Sequence, residues 1–311
     1  MRMAPTGNPM KYLIAILASC ALCLTAHALP GKLRVVTTIP DLADIARQIG
    51  GDRVDVKSIA KGTQNVHNVP LRPSTLVAMN KADLFIQVGL SLEHAYVPGL
   101  LMQARNAAIR PEAPGFVNVS EGWGAIQIPP ELTRRQGTDL HPMGNPHFNL
   151  DPRGGRHIAA RILAGLVRVD PEGQAYYEKR SAAYLTKLSA AEDRWAEIGK
   201  QLKGQRIVTY HADFNYLLAY HAMDLVATVE PQAGVPPTPK DLAKLVELMK
   251  AEEIGLILTA KWSNNKSVRF VAEKTGATII EGPTMVGGVP GADTWISMMD
   301  VLHASLQRAL E

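Results

Sequence analysis

The chain predicts an α/β protein of two parallel-sheet lobes joined by a long helical spine, with a divalent-cation site in the cleft between the lobes. Three observations carry this. Short β-rich runs alternate with amphipathic helical stretches in both halves. One helical stretch without a breaker separates the halves. Three histidines and one aspartate, His67, His147, His211 and Asp293, each stand where a strand or a Gly/Pro-rich loop gives way to a helix, which is where α/β folds build their sites.

At 311 residues, 46% hydrophobic and 20% charged, the sequence has the composition of a soluble globular protein and exceeds one typical domain. Its start reads as a targeting segment. Lys11 precedes an apolar run over 12–24, and Ala26-His27-Ala28 supplies a small-residue cleavage site. The run, about 13 residues, is short for a bilayer span. The expected organisation is therefore a signal peptide over 1–28 and a periplasmic mature chain, divided into a first lobe over 29–168, a linking helix over 169–204 and a second lobe over 205–311. Met10-Lys11 looks the more natural initiator. A rival reading takes Leu17-Ala18-Ser19-Cys20 as a lipobox, with Cys20 acylated to anchor the protein in a membrane; the apolar run continuing to Leu24 suits a cut after Ala28 better. Cys20 and Cys23 are the two cysteines, so a chain cut after Ala28 has no disulfide and no thiolate ligand. Removing 1–28 takes away Arg2 and Lys11 and no acidic residue, leaving 31 basic against 29 acidic residues. That balance argues against nucleic acid as a partner.

In the first half, 33–38 is a β-rich run, followed by Pro40-Asp41 and a helix with Leu42, Ile45, Ala46 and Ile49 on one face, ended by Gly50-Gly51. A strand over 54–59, a loop over 61–73, a helix over 74–81 and a strand over 84–88 continue the alternation. Residues 94–105 read as helix and 117–119 as a fourth strand. Asp170-Pro171 then marks a helix start, with an N-cap aspartate and proline at the first helical position. The helix runs to Leu202 before Gly204, roughly 45 Å at 1.5 Å per residue. A rigid spine of that length predicts small lobe rotations rather than wide hinge opening. The second half repeats the logic, with strands over 206–210, 224–227, 254–259 and 278–280, and helices over 213–221, 239–251, 267–275 and 294–310.

Each candidate ligand has a plainer reading beside the functional one. His147, in GNPHFNLDP, sits among turn formers that can hold a side chain rigidly at a cleft, as can a surface histidine. His67 lies in a loop bounded by Gly62 and Pro73. His211 ends the apolar strand VTYH, where an interior histidine would otherwise cap the next helix. Asp293, after GGVPGAD, would also serve as an N-cap. Together, three imidazoles and one carboxylate complete a tetrahedral set for a borderline-soft cation.

The segments LRVVTTIPDLADIARQIGGDRVDV, RPSTLVAMNKADLFIQVGLSLE, GNPHFNLDP, VTYHADFNYL and ADTWISMMD resemble, in order, the zinc and manganese solute-binding proteins of bacterial ABC transporters. The resemblance spans essentially the whole mature chain. It implies two α/β lobes joined by a long helix, one divalent ion in the cleft held by His67, His147, His211 and Asp293, and an ABC-transporter permease as partner of a monomeric carrier. The first loop departs from pattern: Asn65-Val66 stands where Asp-Pro is usual, and Pro70-Leu71 where Glu-Pro is usual. The long His-rich loop of many zinc members is also missing, and the stretch 129–146 holds only His141, expected to be a solvated loop histidine. A third histidine in place of the glutamate of manganese members favours Zn2+ over Mn2+.

Four protein donors leave no open coordination position, which favours carriage over catalysis, so no enzyme activity is expected. The rivals are a zinc hydrolase with water in the fourth position, and a binding protein for a metal chelate or other small organic ligand; 5% aromatic residues argues mildly against the latter. Asp213 and Glu230 are read as ligand-orienting or cleft-mouth carboxylates, or as solvated loop charges. Glu93-His94 reads as a helix start, and His157, His221 and His303 as structural. No P-loop, dinucleotide fingerprint, nucleophile elbow or HExxH string occurs.

Overall fold

Two four-stranded parallel sheets share one strand order. β1 (Leu33–Thr37), β2 (Val54–Ser58), β3 (Leu84–Gln87) and β4 (Phe116–Asn118) lie as β2-β1-β3-β4, and β5 (Arg206–Thr209), β6 (Asp224–Thr228), β7 (Leu256–Ala260) and β8 (Thr278–Gly282) as β6-β5-β7-β8. Every pairing is parallel. This is a computed structural model, and it describes residues 31–131, 137, 139–263 and 265–311; the expected signal segment, with Met10, Cys20 and Cys23, lies outside the described residues. Among the described residues no helix is long and apolar enough to cross a membrane.

Parallel strands need crossovers, and α1 (Pro40–Gly50), α2 (Pro73–Lys81) and α3 (Val97–Ala104) supply them in the first half, with α4 (Gly154–Val169) following β4; α6 (Asn215–Tyr220), α7 (Pro239–Ala251) and α8 (Asn265–Thr275) supply them in the second, with α9 (Trp295–Arg308) following β8. Strands covered on both faces read as continuous apolar runs, and β7, LILTA, is buried at all five positions. In both sheets the strand order reverses beside the first strand, and the loops at the carboxyl edge of the strands are where such folds bind ligands.

The spine is α5 (Gln174–Leu202), 29 residues and about 43 Å long. Its buried positions, Tyr177, Ser181, Tyr184, Leu188, Ala191, Trp195 and Leu202, recur mostly at intervals of three and four and trace one stripe. That stripe packs on α1 and α4, and on α9. Arg180 Nε donates to the Gln48 carbonyl (3.0 Å), while Arg194 and the Trp195 indole N–H both reach the Asp300 carboxylate. The helix starts slightly later than the sequence predicts. Asp170 does not cap it: its carboxylate takes Arg53 and the Tyr177 hydroxyl, and Pro171–Gly173 forms a 3-10 turn. The helix expected from residue 94 likewise begins only at Val97. Leu90 and Ser91 have left-handed backbones, and the Glu93 carboxylate folds back to accept from Thr38 Oγ1 and the Val88 and Gly89 N–H groups.

The halves meet in a polar joint under the cleft. Asp41 and Asp44, both buried on α1, accept from the Val286 N–H (3.1 Å) and the Trp295 N–H (2.8 Å). Asn149 Nδ2 donates to Asp41 and to the Thr284 carbonyl, each at 3.0 Å. The Trp295 indole, fully buried, donates to the Asn149 carbonyl and meets Trp195 edge to face. Gly155 makes room for that ring, since a β-carbon there would lie 2.3 Å from Trp295 Cζ3.

Candidate metal centre

His67 lies in the loop after β2, and His147 just before a 3-10 turn over Phe148–Leu150. The two are seated alike. In Asn65-Val66-His67 and in Asn145-Pro146-His147, the asparagine side-chain oxygen accepts the histidine backbone N–H at 2.9 Å. This local turn needs only a short side-chain carbonyl two residues ahead of the histidine. Asn65, standing where the resemblance leads one to expect aspartate, supplies that carbonyl, and buried Val66 and Val69 pin the loop in the core. Asn145 also donates to the Ala212 carbonyl (2.8 Å), and its own carbonyl accepts from the Tyr216 hydroxyl (2.7 Å), which ties the His147 loop to the turn after β5.

That turn carries His211 and Asp213. His67, His147, His211 and Asp213 are all buried, and one donor atom from each lies within 4.8 Å of the other three. Ring centroids are 5.1 Å apart for His67 and His147, 5.4 Å for His67 and His211, and 5.8 Å for His147 and His211. Imidazoles bound to one cation at about 2.0–2.1 Å place their centroids about 5 Å apart, so the triad has the dimensions of a coordination set. Both His67 nitrogens, His147 Nε2 and Asp213 Oδ2 are buried without a hydrogen-bond partner. Unpartnered buried donors of this kind cost free energy unless a ligand uses them.

The electrostatics shift the histidines in opposite directions. Burial first, and neighbouring imidazoles next, hold His67 and His147 well below the ordinary imidazole range, so both are neutral. His147 Nδ1 and Asp213 Oδ1, 3.6 Å apart, are consequently not an ion pair. His211 moves the other way. Burial would depress it, but its hydrogen bond to Glu230, with the Asp213 charge beside it, raises it above the ordinary value. Its Nδ1 lies 2.6 Å from Glu230 Oε2. A carboxylate only accepts, so Nδ1 carries the proton and Nε2 keeps the lone pair for a metal. Burial pushes Asp213 up to about 6.

The structure thus brings His67, His147 and His211 together, and the carboxylate it brings to them is Asp213, not Asp293. Asp293 is exposed. The glycine-rich loop before it closes on itself through Gly287 N–H to the Ala292 carbonyl, Gly291 takes a left-handed φ of 82°, and Thr294 caps α9. With Val286 and Trp295 anchored on α1, Asp293 is turned to solvent. His141 also departs from expectation. It is 9% exposed, and its ring stacks on His67 at 5.1 Å. Glu230 resolves as the partner of His211, its side chain 8% exposed.

The family model described as zinc-uptake complex component A, periplasmic, matches residues 35–309. The manganese ABC transporter substrate-binding lipoprotein PsaA of Streptococcus pneumoniae is 24% identical over 268 residues, covering 85% of this chain and 83% of its own. The high-affinity zinc uptake system protein ZnuA of Bacillus subtilis is 26% identical over 251 residues, covering 79% and 76%. A crystal structure of ZnuA superposes with a TM-score of 0.75 at 20% identity, covering 90% of this chain and all of its own.

Proposed function

Because the chain belongs to the family of the periplasmic component A of zinc-uptake complexes, we propose that it captures Zn2+ outside the cytoplasm and delivers it, as a monomer, to an ABC-transporter permease. The observation that supports this is the buried group of His67, His147, His211 and Asp213. In this reading the signal segment is removed, and the first half contributes His67 and His147 while the second contributes His211 and Asp213. Three nitrogens and one oxygen suit Zn2+ better than Mn2+, although relatives named for each metal are present. Four protein donors leave no coordination position for an activated water, which supports carriage rather than catalysis. Delivery then requires the halves to part along the spine by enough to separate the two pairs of donors. Metal analysis of the purified chain tests the site, and growth in zinc-depleted medium tests the role. A strain lacking the protein will fail to grow there and recover with added zinc or the wild-type gene, but not with His147→Ala. Full rescue by that variant would overturn the proposal.

Binding will weaken in acid. A proton and a metal compete for the same lone pair, so affinity falls about tenfold per pH unit for each proton displaced. His211, with its raised pKa, titrates first as pH falls, and Asp213 follows near about 6. His67 and His147 are already neutral and add nothing until much lower pH. Zn2+ titrations will therefore show a plateau above the His211 midpoint and a slope that steepens below it. Glu230→Gln removes the charge that raises His211 and will move the midpoint down. A flat affinity between about pH 5 and 8 would rule out His211 as a donor.

A further inference from the structure

His141 lies just outside the four mutually close donors. Its ring stacks on His67 at 5.1 Å and stands 6.2 Å from His147. It is buried, and neither ring nitrogen makes a hydrogen bond of ordinary geometry, although the Ser91 carbonyl is near enough to favour its protonated form.

What places it there is a crossing of the chain between the two halves. Gly137 pairs with Ala233 in a parallel bridge, and the Asp139 N–H donates to the Ala233 carbonyl at 3.2 Å. A β-carbon on Gly137 would sit 2.1 Å from that carbonyl oxygen. Beyond His141, the Gly144 N–H closes a turn on the His141 carbonyl, and the Asn145 N–H pairs with Ile126. His141 is therefore held between two pinned points, over a cavity of about 140 Å3 whose lining includes Asp139, His147 and His211.

Resting on the metal-carrier reading above, we propose that His141 is a fifth donor of the site and determines its selectivity: nitrogen-preferring cations, Zn2+ among them, add His141 to the three imidazoles and Asp213, and oxygen-preferring cations bind without it. The spacing supports this, because the distance from His67 to His141 equals that from His67 to His147. Four imidazoles on one cation need mutual centroid separations of about 5 Å; His141 already stands so from His67, has roughly an ångström to close toward His147, and shares with His211 the cavity it would move into. Nitrogen donors favour Ni2+, Cu2+ and Zn2+, and carboxylate favours Mn2+, so the engagement of His141 translates into a choice of cargo.

The test uses the purified full chain with Zn2+, Ni2+ and Mn2+, and with Co2+ as a spectroscopic probe. His141→Ala will weaken Zn2+ and Ni2+ by about tenfold or more and leave Mn2+ within about twofold, while Asp213→Asn will weaken all three, Mn2+ most. The Co2+ absorption bands will shift in His141→Ala. A thermal melt on His141→Ala and on His141→Asn separates loss of a donor from loss of fold, since only the former changes the ratio of Zn2+ to Mn2+ affinity. An equal change for all cations, or none, overturns the inference while binding that depends on His147 leaves the carrier reading standing. A wild-type chain that binds none of these ions overturns both.

Discussion

Replacing His147 with alanine will raise the dissociation constant for Zn2+ by more than about 100-fold, since loss of a mere supporting partner of a metal ligand already costs about 10- to 100-fold. His147 is buried among the other donors. Its Nε2 is buried without a partner, its backbone is held by Asn145, and its ring is close to both other imidazoles. The more discriminating comparison is between the two aspartates. Asp213→Ala removes a buried carboxylate from the donor group and will weaken Mn2+ strongly, whereas exposed Asp293→Ala will change affinity for any cation by no more than about twofold, as for other surface substitutions. Isothermal titration against a competing chelator measures both. A large loss with Asp293→Ala beside a negligible one with Asp213→Ala would reinstate the carboxylate that the family resemblance implies.

Trp295→Ala will cost about 3–5 kcal/mol of stability, the range for deleting a large buried aromatic. The indole is fully buried, edges against Trp195, fills the space that Gly155 leaves open, and donates to the Asn149 carbonyl at 2.9 Å. At about 2–4 °C per kcal/mol for a chain of this size, Tm falls on the order of 10 °C. Trp295→Phe keeps most of the packing and loses the hydrogen bond, so its fall will be smaller. Asn149 is two residues from His147, so the alanine variant, at a temperature where it is folded, will also bind Zn2+ somewhat more weakly. A Tm within about 2 °C of wild type would mean the joint repacks around the gap.

The strand alternation, the spine and the three histidines were legible because they are local. Strand-loop-helix boundaries are written in apolar period, Gly and Pro, and a histidine at such a boundary can be picked out without knowing its neighbours. The carboxylate of the buried group was not legible in this way. Asp213, two residues after His211, has the sequence context of an ordinary helix start, and Asp293 has nearly the same context. What separates them is tertiary: the anchoring of Val286 and Trp295 on Asp41 and Asp44 turns Asp293 outward. His141 was hidden for the same reason. Its loop composition reads as solvated, and only the pairing of Gly137 with Ala233, 96 positions apart, folds it inward. One signal was present and unused. The repeated Asn-x-His spacing at 65–67 and 145–147 marks both first-half ligands through a single turn geometry.

The joint beneath the cleft also has a proton inventory of its own. Burial pushes the Asp41 carboxyl up to about 7, despite the hydrogen bonds from Asn149 and Val286 that pull it down. Between the ordinary carboxylate value of 3.8 and about 7, the folded chain thus holds a proton at Asp41 that an unfolded chain releases. This group's contribution to stability is full below 3.8 and is lost as pH rises through about 7. Coordination has the opposite sign, because it is acid that strips the metal from His211. Acidification therefore adds to the stability of the folded chain through Asp41 while it loosens the grip on the cargo, so the cation can be lost to protons without the chain unfolding.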